Sequence, residues 1–139
     1  MARRPFNPDA LKSYAVSWIR PNIGQWSVVW RYTVYVPSDQ AFPDGKAQSI
    51  ATPDDLTNLE LMLVSHFEGI TVLSPQRGMG ARDSRNPKAS LEVNKHAVYV
   101  VYAPAAPISD NYFQALRAEL QDALGEGIVL IERQEALLL

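Results

Sequence analysis

An α+β fold, one antiparallel sheet with two helices on one face, is predicted by two observations. The first is a construction used twice: an amphipathic helix, a glycine stop and a short apolar strand. It runs over residues 52–73 and again over 109–131. The second is a pair of longer strand patterns at 25–36 and 91–103, one ahead of each helix. The resulting order, strand–helix–strand–strand–helix–strand (βαββαβ), is the ferredoxin-like split βαβ arrangement, here with an extra N-terminal segment. In that arrangement the two helix-following strands occupy opposite edges of a four-stranded sheet. Residues 25–139 are therefore expected to form one domain and 1–24 an arm or short helix.

Each element has its own warrant. Asn7, Pro8 and Asp9 suit a short helix start, with Leu11, Ala15, Trp18 and Ile19 on one side and Pro21 ending it. Alternatively this is an arm lying on the surface or on a partner subunit. In 25–36 the even positions read Trp26, Val28, Trp30, Tyr32, Val34, Val36, the period of a half-buried strand. Residues 37–51 read as a long linker with a turn at Phe42-Pro43-Asp44-Gly45. Thr52, Pro53 and Asp55 are cap, first-turn proline and first-turn acid of a helix. Leu56, Leu59, Leu63 and Phe67 form its stripe, which leaves Leu61 and Met62 outside, and Gly69 supplies the stop. Ile70-Thr71-Val72-Leu73 is the following strand, and 74–90 is a polar loop rich in glycine and arginine.

The strand 91–103 is apolar on both sides at its far end. Ala97, Tyr99, Val101 and Ala103 alternate with Val98, Val100 and Tyr102. A sheet with one wet face alternates more cleanly, so something is expected to cover the second face: the N-terminal segment, a second subunit or a ligand. Pro104 and Pro107 break this strand. The second helix begins at Ser109 or Asp110 and carries Tyr112, Phe113, Leu116, Leu120, Ala123 and Leu124 on one face. It stops at Gly125 or Gly127 ahead of Ile128-Val129-Leu130-Ile131, and the chain ends on three leucines.

Composition excludes several functions. With 139 residues the chain can bury a core without disulfides or metal. The absence of cysteine removes disulfides, cysteine-ligated metal sites and a thiol nucleophile, and it fits a cytoplasmic protein. A net charge of −2 gives no general attraction to nucleic acid or anionic membrane, so neither partner is expected. No apolar h-region follows the basic start Met1-Ala2-Arg3-Arg4, and no run approaches the roughly 20 apolar residues of a membrane helix. No cofactor or metal is expected.

The motifs Gly69-Ile70-Thr71-Val72-Leu73, Gly78, Arg82-Asp83, and Glu92 and Lys95 ahead of Val98–Tyr102, together with Leu124-Gly125, cover about half the chain. In these the sequence resembles small bacterial ferredoxin-like domains of uncharacterised function. In element order it is also similar to the dimeric α+β barrel proteins, which include small-molecule enzymes and stress proteins. The resemblance implies a fold and a dimer, and it assigns no catalytic residue.

Three groups of residues are candidate sites. Glu92, Asn94 and His96 share one face at the strand's start. A carboxylate and an imidazole so placed can share a proton or hold a metal, or they mark a polar strand entrance at the rim of the sheet. Residues two apart on one strand face lie roughly 7 Å from each other, so a Glu92–His96 bond across four residues needs a third partner, sought in the preceding loop. Second, Arg77, Arg82, Arg85 and Lys88 face only Asp83 within 74–90, a local positive excess suited to a small phosphate- or carboxylate-bearing ligand. Here Gly78 and Gly80 allow tight backbone turns. Gly78-Met79-Gly80 is no dinucleotide fingerprint, because Asn86-Pro87 follows where a helix should begin. Third, His66 lies beside its helix stripe and is expected to be a half-buried histidine bonded to backbone. The run Lys95 to Tyr102 imitates an RNA-recognition strand but puts Ala97 where the first stacking aromatic belongs.

Two functions are compatible with this inventory. One is a self-associating binding or assembly module without chemistry of its own, a homodimer or larger oligomer joined through its sheet. The other is a small-molecule enzyme of the dimeric α+β barrel type, with a pocket between sheet and loops and with His96, Glu92 and the loop arginines as its residues.

Overall fold

Alternation along two central strands builds the core. In the computed structural model, which describes residues 3–14, 27–41, 43–67, 69–81, 83–125 and 129–139, Tyr32, Val34 and Val36 of strand β1 (Ser27–Ala41) point to one side. Ala97, Tyr99, Val101 and Ala103 of strand β4 (Leu91–Pro104) point the same way. The register Tyr32↔Val101 and Val34↔Tyr99 sets these side chains beside one another. Helix α1 (Pro53–Phe67) covers them with Leu59, Met62, Leu63 and Phe67. Helix α3 (Pro107–Leu124) adds Tyr112, Phe113, Leu116, Leu120 and Leu124. Phe113 stacks on Tyr32 with ring centroids 3.9 Å apart and meets Tyr112 edge-on. Burial of each such side chain contributes about 1.5–3 kcal/mol.

Strand β3 (Thr71–Ala81) pairs with β4, β4 with β1, and β1 with β5 (Leu130–Leu138), every pair antiparallel. The order β3–β4–β1–β5 is that of the ferredoxin-like split βαβ fold, with the two helix-following strands at opposite sides. A fifth strand, β2 (Ala47–Ser49), extends the β5 side of β1, pairing at Asp39–Ala41.

The caps explain where the helices start. Asp55 N–H donates to Thr52 Oγ1 at 3.2 Å, and Thr52 N–H donates back to Asp55 Oδ2 at 3.0 Å, a reciprocal cap on α1. Phe6 N–H reaches the same buried carboxylate, which also pairs with Arg3. Burial alone raises the Asp55 pKa, but the hydrogen bonds from Phe6 and Thr52 and the Arg3 charge outweigh it, so the group sits below the usual carboxylate range. Met62, expected outside the α1 stripe, is buried in it, while Leu61 does stay exposed at 65%. The second helix begins two residues before the expected Ser109. Pro107 starts it instead of blocking it, because proline's fixed φ suits the first helical position. Ser109 is buried and donates to Pro104 O at 2.6 Å. Gly125 (φ 78°) ends α3 in the left-handed region, its N–H on Gln121 O.

Two other expectations are corrected. The linker expected at 37–51 is largely a hairpin: β1 runs on to Ala41 and β2 returns along it. Pro37 hid this, and it is tolerated because the β1–β4 register shifts between Pro37 and Asp39. The loop expected at 74–90 is strand over its first half and a short helix at its end. β3 continues to Ala81, a turn follows, and the short helix α2 (Pro87–Ser90) leads into β4. Pro75 falls within a second irregularity, between Leu73 and Gln76.

The N-terminal segment does not cover the second sheet face in its described part. Its 3-10 helix (Pro8–Tyr14) packs on the helical layer, with Phe6 and Leu11 inside the same core. Arg4 holds it there through Glu119 and Asp122, and its backbone N–H meets Ala123 O at 2.8 Å. Ala15, Trp18, Ile19, Pro21 and Trp26, assigned above to the N-terminal helix and first strand, lie outside the described residues, as do Phe42, Gly127 and Ile128. Among the described residues no helix is long and apolar enough to cross a membrane.

Candidate functional site

The second face of β4 carries Glu92, Asn94, His96 and Val98 in sequence, and the two strands beside it shape a groove over them. Both neighbours are irregular next to His96. Its register partners are Pro37 on β1 and Gln76 on β3, each at a shift in pairing. Each shift adds one residue to the neighbouring strand, and such bulges bend a strand and strengthen its twist. The concavity here has a volume of about 820 Å³. Its apolar end is Tyr35, Leu73, Val98 and Leu130, which share this face through the pairings Tyr35↔Val98, Leu73↔Val98 and Tyr35↔Leu130. Its polar end is Gln76, Glu92, Asn94 and His96.

The depth of the polar end comes from missing side chains. Gly78 pairs with Asn94 and Gly80 with Glu92, so β3 offers two glycines on the face where β4 offers polar groups. A Cβ on Gly78 would stand 3.0 Å from His96 Cε1 and 3.5 Å from its Nδ1. The imidazole therefore rests directly against bare backbone. Burial lowers the His96 pKa, which keeps the ring neutral at neutral pH. Among the described residues it makes no hydrogen bond, which leaves a ring nitrogen able to accept a proton. Glu92 is oriented from β1: Gln40 Nε2 donates to Glu92 Oε2 at 3.0 Å, and Gln48 Nε2 on β2 donates to Gln40 Oε1 at 2.9 Å. Gln40 thus orients Glu92 from the neighbouring strand, but it is not the link between Glu92 and His96 that was sought in the preceding loop. Asn94 Oδ1 is buried and has no hydrogen-bond partner among the described residues.

Of the basic candidates, Arg77 lines the groove, with Lys95 as its register partner. Arg85 stands in the turn at the tip of the hairpin, 3.6 Å from Asp83 and 93% exposed, and Lys88 lies on α2. Neither belongs to the groove lining. Arg82 lies outside the described residues. His66 sits between the two long helices, away from the open sheet face. Its partner is not backbone but the buried Tyr112 hydroxyl, 2.7 Å from Nδ1. Tyr99, an aromatic of the RNA-recognition-like run, points under the helices and donates to Glu60 Oε2 at 3.0 Å.

Sequence reasoning missed Tyr35, Leu73, Met79 and Leu130 as lining residues. Tyr35 was within reach, because it falls on the odd face of β1, the side away from Tyr32, Val34 and Val36. The other three needed the register of β3 and β5, which no local pattern encodes.

Fold and site together define an α+β sheet domain with a small-molecule-sized groove on the face its helices leave open. No family model matches the chain, and no curated protein matches it. Among solved structures it is similar to a phage SAM lyase in complex with S-methyl-5'-thioadenosine, with a TM-score of 0.52 and 15% identity. The match covers 77% of this chain and 81% of that one, and at this identity the likeness is one of fold.

Proposed function

We propose that the protein is a small-molecule enzyme whose substrate, an adenosyl sulfur compound of the SAM type, lies in the groove between β4 and the β3–β4 hairpin. The observation that carries this is the facing of Glu92, Asn94 and His96 against Gly78 and Gly80 within one concavity. A volume of about 820 Å³ suits a ligand of that size. The chemistry also matches at three points. A sulfonium is attracted to the Glu92 carboxylate and the Tyr35 ring face. An amino-acid carboxylate suits the fork of Arg77. Neutral His96 is the group that accepts a proton in a cleavage. The likeness to a SAM lyase supports this reading over a module without chemistry.

Self-association of the 25–139 domain, in the cytoplasm, belongs to the same reading. Its support is the apolar content of the open face, where Leu73 and Leu130 remain 40% and 53% exposed.

The test is calorimetric titration with SAM and S-methyl-5'-thioadenosine, together with chromatography of SAM incubated with the protein. Saturable binding, and consumption of SAM that His96→Ala abolishes, are expected. No saturable binding of either compound at millimolar concentration removes the proposal.

A further inference from the structure

The two groove glycines differ in why they are glycines. Gly78 has a structural reason, because a Cβ there would press on the His96 ring, which would have to give by a few tenths of an ångström. Gly80 has none among the described residues. Its φ is outside the left-handed region, no heavy atom of the described residues lies within 4 Å of where its Cβ would stand, and its pairing with Glu92 is regular. Glycine weakens a strand through backbone entropy and offers nothing to pack. Where it persists inside one, it marks a bulge, a tight bend, or a place where a ligand or another backbone approaches closely. The β3 irregularity lies several residues away at Leu73/Gln76 and the turn begins only after Ala81, so close approach is the reading that fits the groove.

We infer that Gly80 is the floor on which the flat face of a heteroaromatic ring lies, and that Asn94 reads a hydrogen-bond donor on that ring's edge. A bare strand backbone presents a flat surface, and a side chain at 80 would lift a ring off it. Gly80 and Asn94 both line the groove, and each is paired across the hairpin with the other's near neighbour: Gly78↔Asn94 and Gly80↔Glu92. The Asn94 Oδ1 lacks a donor among the described residues, which is costly for a buried carbonyl oxygen. Rotation about the broad terminal torsion of asparagine turns the amide toward the groove. An amine-bearing ring such as a 6-aminopurine supplies both the flat face and the donor. Glu92, already bonded to Gln40, adds an acceptor at the same end. This inference rests on the groove being the ligand site, and it assigns the ring its place there whatever the rest of the ligand is.

The experiment uses the full chain with adenine and adenosine as ring probes, and SAM as the probe of the wider reading. Gly80→Val is expected to keep the wild-type melting temperature, because its side chain enters open space, and to weaken adenosine binding at least tenfold. Asn94→Ala is expected to weaken adenosine but not purine, which lacks the amino group. Wild-type protein that binds neither adenine nor adenosine overturns the inference. So does adenosine affinity unchanged in Gly80→Val. If SAM still binds and His96→Ala abolishes its turnover while Gly80→Val does nothing, the ring platform falls and the enzyme reading stands. If adenosine binds in a Gly80-dependent way while SAM neither binds nor reacts, the platform stands and the SAM-type substrate falls.

Discussion

The two faces of β4 are made from the same fourteen residues and do opposite work. On one, Tyr99, Val101 and Ala103 are at most 1% exposed beneath the helices, and every nearby polar group is paired: Tyr99 to Glu60, Tyr32 to Asp110, Tyr112 to His66. On the other, Glu92, Asn94 and His96 line a groove, one amide oxygen has no partner among the described residues, and the facing strand gives up two side chains. The covered face uses its residues for packing. The open face keeps unsatisfied capacity, which is what a binding site requires and a core cannot tolerate.

Substitutions separate the two faces. The largest stability effect is expected on the covered face: Leu116→Ala, at a fully buried position, should cost about 2–5 kcal/mol in chemical denaturation. His96→Ala on the open face should change stability by less than about 1 kcal/mol, because its ring lies at a groove wall rather than in a packed core. A loss there as large as at Leu116 would make His96 a structural residue and erase the contrast.

Next in size is Asp55→Ala, which strips partners from Thr52 and Phe6 N–H and removes the ion pair of Arg3, and should cost about 2–3 kcal/mol. Its pH dependence has a definite sign. The Asp55 pKa is lower in the folded state, so its contribution is complete above the ordinary value of about 3.9 and is lost as pH falls through the folded-state value. His66 and His96 act earlier on the acid side. Burial lowers the pKa of each, so below about 6.5 the unfolded chain binds the protons first and stability declines as pH drops. Denaturation from pH 8 to 3 should show both slopes in wild type, with the lower one missing in Asp55→Ala.

Charge on the apolar part of β4 should act differently on each side. Val100→Asp, on the open face, is expected to leave the fold intact and to shift light-scattering mass toward the monomer, since an unpaired charge in an interface is costly. Tyr99→Asp should unfold the protein instead, because Tyr99 belongs to the core. The smallest effect belongs to Arg77→Ala: about 0–1 kcal/mol in stability, with weaker and less salt-sensitive binding of a carboxylate-bearing ligand.

Much of this architecture is legible in residue order because it rests on local rules. The stripes of α1 and α3, the Thr52–Asp55 cap, the Gly125 stop and the alternation in β1 and β4 each depend on neighbours within a turn or two. Their sum leads to the βαββαβ order and the edge positions of β3 and β5. Even the grouping of Glu92, Asn94 and His96 follows from a period of two. Where local rules fail, proline is usually the cause. Pro37 and Pro75 suggest loops but sit at irregularities within strands, and Pro107 suggests a break but begins a helix. Which residues face Glu92 and His96 across the hairpin was decided only in three dimensions. Tyr35, Gln40, Leu73, Gly78, Gly80 and Leu130 join them through inter-strand register, and register depends on two bulges and on the global packing of the sheet. Periodicity assigns a side chain to a face of its own strand; only pairing between strands decides what it meets there.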